Sequence, residues 1–259
     1  MNMFQNITLE FKEKYALVMI DRPEVRNALN ADTLKEIEQA VDQCEQNPSV
    51  NVIVFKGTGD KSFAAGADIG QLKERKMLDA LVPGMQGTYK KIENCSKATI
   101  AAINGFALGG GCELALACDI RVAAEHAKIG LPELNLGIVP GAGGTQRLAR
   151  VVGKGIALDM ILTGKIISGI EAERIGLVSE VVPVEKLDFV VEQKAEAIHS
   201  KGPVAVKLAK MVVHKGFDVD LDTALMIEKL AQTIAFGTED KTEGTAAFLE
   251  KRKPQFTNQ

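Results

Sequence analysis

The chain has 259 residues, 46% of them hydrophobic and 25% charged, so it is long and apolar enough to bury the core of one large α/β domain. Its 31 basic and 34 acidic residues give a net charge of -3, so no global field would recruit nucleic acid or an anionic membrane. No stretch approaches the roughly 18 uninterrupted apolar residues that a membrane-spanning helix needs.

Four cysteines lie in or beside apolar segments, without the paired spacing of metal ligands. Residues 1–5 lack the basic-then-apolar layout of a secretory signal. We therefore expect reduced thiols and a cytoplasmic protein.

Strand-like and helical segments alternate along the first part of the chain. Ile7–Phe11 and Tyr15–Ile20 are strand-like and are separated by polar residues, which predicts an opening hairpin. The predicted elements that follow are a helix at 31–44, strands at 50–55 and 98–103, a helix at 110–118 and a strand at 120–124. Such alternation is typical of an α/β fold around a shared core.

From residue 184 onward the pattern is almost entirely helical. Helices are predicted at 186–199, 204–214, 221–236 and 239–251. We interpret residues 1–200 as a core domain and residues 201–259 as a C-terminal helical region.

The most informative segment is Ile100–Ala117, an apolar strand that breaks into glycines and restarts as an apolar helix with one carboxylate, Glu113. Glycines allow close backbone approach, and the first helical turn leaves N–H groups without partners. An ionised carboxylate in apolar surroundings must be paired or hydrogen-bonded. The junction can bind developing negative charge, or it is a plain helix start whose glutamate interacts favourably with the helix dipole. The residues alone leave both interpretations open.

Three further segments are each consistent with ordinary structure when taken alone. Phe63–Ile69 is a run of small residues in which Asp68 can cap a helix, and Gly130–Leu134 carries a second carboxylate, Glu133. The third, Leu136–Arg147, is a glycine-rich turn into a helix. A function therefore has to be inferred from the segments in combination.

The motifs do not support a nucleotide-binding site, a metal site or a Ser-His-Asp catalytic triad. The glycine-rich turn lacks the third glycine of a dinucleotide fingerprint, because Gln146 stands there, and no phosphate-binding loop is present. The three histidines are scattered and form no metal-ligand or Ser-His-Asp pattern.

In their order and spacing, Phe63–Ile69, Asn104–Leu114 and Leu131–Glu133 resemble the enoyl-CoA hydratase (crotonase) family. The resemblance covers nearly the whole chain, from Arg22–Asn30 to Phe248–Lys253. It implies an α/β fold, a spiral of ββα units with a C-terminal helical trimerisation region, and a homo-hexamer built as a dimer of trimers.

The resemblance also implies the chemistry. The thioester oxygen of an acyl-CoA would lie between the backbone N–H groups of Ala67 and Gly110, an oxyanion hole. Water would add across the 2,3-double bond of a short- to medium-chain 2-enoyl-CoA, with Glu133 delivering the proton to C2 and Glu113 orienting and deprotonating the water. The two labels are interchangeable if both carboxylates hold one water. The presence of both glutamates favours hydration over double-bond migration.

Further substrate contacts follow from the resemblance. The residues expected along coenzyme A, the pantetheine channel and the acyl end are Val25, Arg26, Ala28, Ala65, Asp68, Ile69, Pro132 and Gly141. Lys251 is expected to meet a phosphate of CoA bound to a neighbouring subunit, or else to be a solvated lysine. No metal and no cofactor is expected, since coenzyme A is part of the substrate.

Two alternatives remain at this stage. One is another acyl-CoA enzyme of this fold, an isomerase or a specialised dehydratase, because fold alone does not separate these activities. Gly70, Leu131 and Gln232 depart from the pattern of close relatives, which bears on substrate preference more than on chemistry. The other is an RNA-binding homologue, which would use the basic residues of segment 73–91, but acidic residues interrupt them, so we expect a solvated face and no nucleic-acid partner.

An apolar stripe lies within the same segment, at residues 77–85. We expect it to be core, with an acyl pocket lined by its methionines as the alternative.

Overall fold

A computed structural model of the chain describes residues 4–259, so the first three residues of the predicted core domain and of the segment searched for a signal lie outside it. The strands within 4–259 are β1 (Ile7–Phe11), β2 (Ala16–Ile20), β3 (Val52–Gly57), β4 (Ser62–Ala64), β5 (Ala98–Ile103), β6 (Phe106–Leu108), β7 (Ile120–Ala124), β8 (Lys128–Gly130), β9 (Ile166–Ser168) and β10 (Glu180–Val182).

The α-helices in the same range are α1 (Ala31–Gln46), α2 (Ile69–Glu74), α3 (Gly84–Asn94), α4 (Gly110–Ala117), α5 (Gly144–Val152), α6 (Lys154–Thr163), α7 (Gly169–Arg174), α8 (Val184–His199), α9 (Pro203–Gly216), α10 (Leu221–Phe236) and α11 (Glu239–Leu249). Short 3₁₀ helices span Pro23–Val25, Met77–Leu81 and Glu133–Leu136.

The strands form two sheets. The larger sheet has the order β1-β2-β3-β5-β7-β10, in which only the predicted hairpin pair β1 and β2 is antiparallel. The smaller sheet has the order β4-β6-β8-β9, in which β4, β6 and β8 are parallel and β9 is antiparallel to β8. The chain therefore passes repeatedly from one sheet to the other.

The central strand β5 shows why the larger sheet is buried on both faces. Its residues alternate between two apolar clusters: Ala101 and Ile103 join one, while Ile100 and Ala102 join the other. Side chains of a strand point alternately to opposite faces, so a continuous apolar run suits a strand covered on both sides. Helix α8 covers one face, and the other cluster is shared with α1, α3, α4 and the smaller sheet.

The turn between the two sheets is fixed by one buried amide, that of Asn104. Its Nδ2 donates to the carbonyls of Gly57 and Gly59 at 2.9 and 2.7 Å, and its Oδ1 accepts from the N–H of Gly57 at 3.2 Å. Each of these backbone groups would otherwise be an unsatisfied polar group in the interior. The end of β5 is thereby tied to the end of β3, and β6 begins two residues later.

Helix α9 is anchored to the core through a half-buried carboxylate. Asp119 accepts from Lys210 Nζ at 2.9 Å and contacts His214 Nε2 at 2.7 Å, both on α9. Helix α10 buries only Ala231 and exposes apolar side chains on two sides. No helix within residues 4–259 combines the length and the hydropathy needed to cross a membrane. The division of the chain at residue 200 stays a prediction.

One expectation about the core is wrong in this chain. Met77, Leu78, Leu81 and Val82 are 66–84% exposed, and only Met85 of that stripe packs against the core. The reason is local: Met77–Leu81 forms a 3₁₀ helix, and α3 begins only after Pro83. The helical period that would place these side chains on one buried face is therefore interrupted.

Candidate active site

Three parallel strands of the smaller sheet lead into the same region. Beyond the carboxyl ends of β4, β6 and β8 lie Ala67, Gly110 and Glu133 respectively. Neighbouring parallel strands end at one edge of a sheet, where α/β proteins bind ligands. The structure thus brings together residues that are more than sixty positions apart.

The N–H groups of Ala67 and Gly110 lie side by side. A Cβ built on Gly110 would be 3.5 Å from the nitrogen of Ala67, and one built on Gly66 would be 3.7 Å from the nitrogen of Gly110. Leu29 pairs with the groups on either side of Ala67, since its N–H donates to Gly66 and its carbonyl accepts from Asp68. Within residues 4–259, neither the Ala67 nor the Gly110 N–H donates a hydrogen bond. Both donors can therefore bind one ligand oxygen.

The three consecutive glycines at 109–111 each lie against a different neighbour, which leaves little room for a side chain. Gly109 has φ +52°, and a Cβ there would be 3.1 Å from Oε1 of Glu133. A Cβ on Gly110 would be 2.6 Å from Sδ of Met85, and one on Gly111 would overlap the carbonyl of Ala64. A side chain at these positions would therefore press on the Glu133 carboxylate, on the side chain of Met85 and on the backbone of β4 in turn.

Glu113 lies in the first turn of α4, a helix with every residue buried, and is itself 2% exposed. Its Oε1 accepts from the N–H groups of Ala142 and Gly144 at 2.7 and 2.8 Å. Burial raises the pKa of Glu113 above its usual value, although both N–H donors and the charge of Arg147 oppose the rise. One carboxylate oxygen is thus fixed by the protein, which leaves Oε2 to meet a ligand.

Glu133 begins the 3₁₀ helix Glu133–Leu136, directly after Pro132. Its Oε2 is buried and is without a hydrogen-bond partner within the part of the chain that the structure describes. Burial raises the pKa of Glu133 to about 7, and repulsion by the nearby carboxylate of Glu113 adds to the rise. A carboxyl group of this kind can hold and release a proton near neutral pH.

Sequence reasoning did not find the partners that orient these groups. The donors to Glu113 are Ala142 and Gly144, within the glycine-rich turn whose role the sequence left open. Tyr89 of α3 is fully buried and donates from Oη to the carbonyl of Gly110 at 2.7 Å. A tyrosine within an amphipathic helix gives no sequence signal for such a contact.

The predicted coenzyme A segments also come together. Ala65 donates from its N–H to the carbonyl of Arg26 at 3.1 Å, and Arg22 bridges the carbonyl of Ala28 at 2.6 Å and the carboxylate of Asp68 at 3.6 Å. Asp68 also caps α2, as the sequence predicts. Val25 and Ile69 are exposed beside these segments.

The remaining predicted contacts are more scattered. Pro132 is adjacent to Glu133, whereas Gly141 is exposed and stands just before the residues that bind Glu113. Lys251 follows α11 in a left-handed conformation, and no hydrogen bond or ion pair between described residues joins its side chain to the site.

Comparison with known proteins is consistent along the whole chain. The profile of the family described as enoyl-CoA hydratase/isomerase matches residues 10–259. A crotonyl-CoA hydratase of Syntrophomonas wolfei is 49% identical over 255 residues, 98% of each chain. A short-chain-enoyl-CoA hydratase of Clostridium acetobutylicum is 46% identical over 250 residues, 96% of each chain.

The fold is similar to that of solved relatives as well. The crystal structure of an enoyl-CoA hydratase from Bacillus anthracis superposes with a TM-score of 0.95 at 41% identity, covering 98% of this chain and 100% of that one. The expected family and the expected α/β crotonase fold are both confirmed. The chain belongs to the enoyl-CoA hydratase/isomerase family.

Proposed function

We propose that this protein is a hydro-lyase that adds water across the 2,3-double bond of a short- to medium-chain 2-enoyl-CoA, giving a 3-hydroxyacyl-CoA. One observation carries the proposal: the buried carboxylate of Glu113 and the half-buried Glu133, whose Oε2 is buried, lie beside two N–H donors without partners among the described residues, at the same edge of a sheet. The names of the two relatives described above favour the short end of the chain-length range.

The two N–H groups would act on the thioester oxygen. When a nucleophile adds at C3, electrons move onto that oxygen and give it enolate character. The N–H donors of Ala67 and Gly110 bind the charge as it develops, and the amino end of α4 adds a favourable dipole. Stabilisation that grows in the transition state lowers the barrier to addition.

The two carboxylates would divide the proton transfers. Glu113 has one oxygen held by two N–H groups, which favours its ionised form as the base that orients and deprotonates water for attack at C3. Glu133 has a pKa raised to about 7 by burial, which favours its protonated form as the acid that delivers a proton to C2. The O–H bond of water breaks as the C3–O bond forms, and the Glu133 proton completes the C2–H bond.

Hydration is redox-neutral, so these four groups suffice and no cofactor or metal is invoked. Coenzyme A would enter as the handle of the substrate, along Val25, Arg26, Ala28, Ala65, Asp68 and Ile69, with Pro132 and Gly141 at the acyl end. The four cysteines are unpaired and buried, which fits work in the reducing cytoplasm.

We also propose a homo-hexamer, a dimer of trimers, built through residues 201–259. Helix α10 exposes Leu221 and Leu225 on one side and Leu230 and Ile234 on the other, each 51–71% exposed. Lys251 stands beside Phe248 and Leu249, which are 83% and 80% exposed. Burial of these apolar side chains against a neighbour would place Lys251 at a subunit boundary, where it can meet a CoA phosphate.

Replacing either carboxylate by its amide tests the proton roles. Glu113→Gln and Glu133→Gln should each lower hydratase turnover by orders of magnitude, because shape is kept while the capacity to transfer a proton is lost. The measurement is the loss of absorbance of the conjugated thioester of crotonyl-CoA. Binding of a saturated acyl-CoA should persist in both variants. Near wild-type turnover in either one would remove that glutamate from the mechanism.

The raised pKa of Glu133 predicts how stability depends on pH. The folded protein holds the Glu133 proton more tightly than the unfolded chain, whose carboxyl titrates near its ordinary value of 4.5. Stability is therefore full below that value and falls as pH rises toward about 7. Glu133→Gln lacks this loss, so its free energy of unfolding relative to wild type should rise by about 1–3 kcal/mol between pH 4.5 and 7.5. Denaturant unfolding across that range measures the difference, and a difference that stays flat with pH contradicts the assignment.

Ala67→Pro tests the oxyanion hole, because proline removes an N–H that most substitutions leave in place. The N–H of Ala67 has no partner to lose within residues 4–259, so the change should cost transition-state stabilisation of about 3 kcal/mol, or roughly a hundredfold in rate. An intact circular dichroism spectrum, the wild-type assembly and retained binding of a saturated acyl-CoA serve as controls. A variant that passes all three and hydrates crotonyl-CoA at the wild-type rate shows that Ala67 does not serve the thioester oxygen.

The assembly is tested by light scattering at micromolar concentration. A hexamer, or at least a trimer, is expected. Leu225→Lys together with Leu230→Lys should shift the population toward smaller species, because one charge would be placed on each of the two apolar sides of α10. A wild-type monomer under these conditions would contradict both the assembly and the proposed contact of Lys251 with CoA.

A further inference from the structure

The loop that holds Glu113 is itself held by the side chain of Arg147. Nη1 of Arg147 donates to the carbonyl of Ala142 at 2.9 Å, and a Cβ on Gly143 would overlap this nitrogen, so the guanidinium lies directly against the loop. The side chain is only 14% exposed. The N–H donors to Glu113 come from Ala142 and Gly144, on either side of this contact. A displacement of Arg147 would therefore move both donors.

Arg147 is held in turn by Glu93 of α3. Nε and Nη2 of the guanidinium donate to the two carboxylate oxygens of Glu93 at 2.8 and 2.9 Å, a bidentate pair. The guanidinium thus faces Glu93 along one edge and the Ala142 carbonyl along another. An ammonium group lacks the planar fork needed to satisfy both at these positions.

Helix α3 carries a second support for the site on the same face. Glu93 follows Tyr89 by four residues, one turn of the helix, so both side chains project in the same direction. Tyr89 binds the carbonyl of Gly110, while Glu93 reaches the Ala142 loop through Arg147. One helix therefore sets the placement of an oxyanion donor relative to the base.

We propose that Arg147, held by Glu93, is a positioning residue for hydration: it keeps the N–H groups of Ala142 and Gly144 on Glu113 and favours the ionised carboxylate. Its contacts are with the loop and with Glu93, so it acts through Glu113. The inference rests on the proposed role of Glu113 as the base.

The charges around Glu113 give the sign of the expected pH effect. Arg147 of α5 is the positive group that lowers the pKa of Glu113; Glu93 stands behind it on α3, and Glu133 faces Glu113 from the 3₁₀ helix. Tyr89 of α3 and the neighbouring Cys112 thiol are neutral, since burial raises the pKa of each. Loss of the Arg147 charge should raise the pKa of Glu113. The acidic limb of the kcat/KM profile would then move to higher pH.

The experiment compares Arg147→Met, Arg147→Lys and a matched control, Arg150→Met. Arg150 lies on the same helix, is 48% exposed and pairs with Asp218 at 3.2 Å. Arg147→Met should lower kcat about 10- to 100-fold, because the base is misplaced, with KM changed less than about threefold. The acidic limb of its kcat/KM profile should move to higher pH. Arg147→Lys should lose part of kcat while the limb stays near that of wild type, and Arg150→Met should match wild type in both.

Wild-type kcat and an unmoved acidic limb in Arg147→Met would overturn the inference, as would an equal loss in Arg150→Met. If Arg147→Met fails to assemble, Glu93→Gln is the second variant; a lowered kcat with KM retained supports the proposal, and an unchanged kcat overturns it. Glu113→Gln is measured alongside. Absence of crotonyl-CoA hydration by the wild type refutes the proposed function, and full turnover in Glu113→Gln refutes the role of Glu113 as the base. An inactive Glu113→Gln beside a fully active Arg147→Met refutes only the role of Arg147.

Discussion

The structure is organised around the carboxylate of Glu113, which is buried where an ionised group is energetically unfavourable unless it is hydrogen-bonded. Glu113 belongs to a helix in which every residue is buried. Its carboxylate accepts hydrogen bonds from two backbone N–H groups of a loop that is distant in the chain. An ionised group at this depth requires such donors. The glycine-rich loop that carries these N–H groups contacts the guanidinium of Arg147, which is paired in turn with Glu93. Burial raises the pKa of Glu113, and the two N–H groups bind only its Oε1. The other carboxylate oxygen, Oε2, stays available to a ligand.

The smaller sheet explains why the other groups arrive at the same point. β4, β6 and β8 run parallel, and beyond their carboxyl ends come the N–H group of Ala67, the N–H group of Gly110 with the carboxylate of Glu113, and the carboxylate of Glu133. Each strand has only three residues, and hydrogen bonds such as that from Gly109 N to Gly130 O tie the ends together. The larger sheet and Asn104 provide a rigid base for these short strands. The two carboxylates and the two N–H groups are thus placed by one sheet.

Much of this could be predicted from the sequence, but not all. The long apolar strands and the C-terminal helices appear within a few residues of their predicted positions, since period and caps determine them locally. A strand of three residues is too short to show alternating hydrophobic and polar positions, so the sequence did not predict the smaller sheet. The motifs that follow β4, β6 and β8 are nevertheless visible in the sequence. The motifs themselves single out the carboxylates of Glu113 and Glu133, while their proposed roles, and the choice of Ala67 and Gly110, come from the resemblance of those motifs to a family. Tyr89, Glu93 and Arg147 were not predicted, because their roles depend on contacts between elements distant in the chain.

The three glycines at 109–111 carry a consequence for the evolution of the chain. Their neighbours are the carboxylate of Glu133, the side chain of Met85 and the backbone of β4, so a side chain at each position would meet a different obstacle. The thioether end of Met85 is flexible and can move aside for a methyl group on Gly110, whereas the backbone carbonyl of Ala64 cannot move aside for one on Gly111. Of the three positions, Gly111 is therefore the least open to substitution.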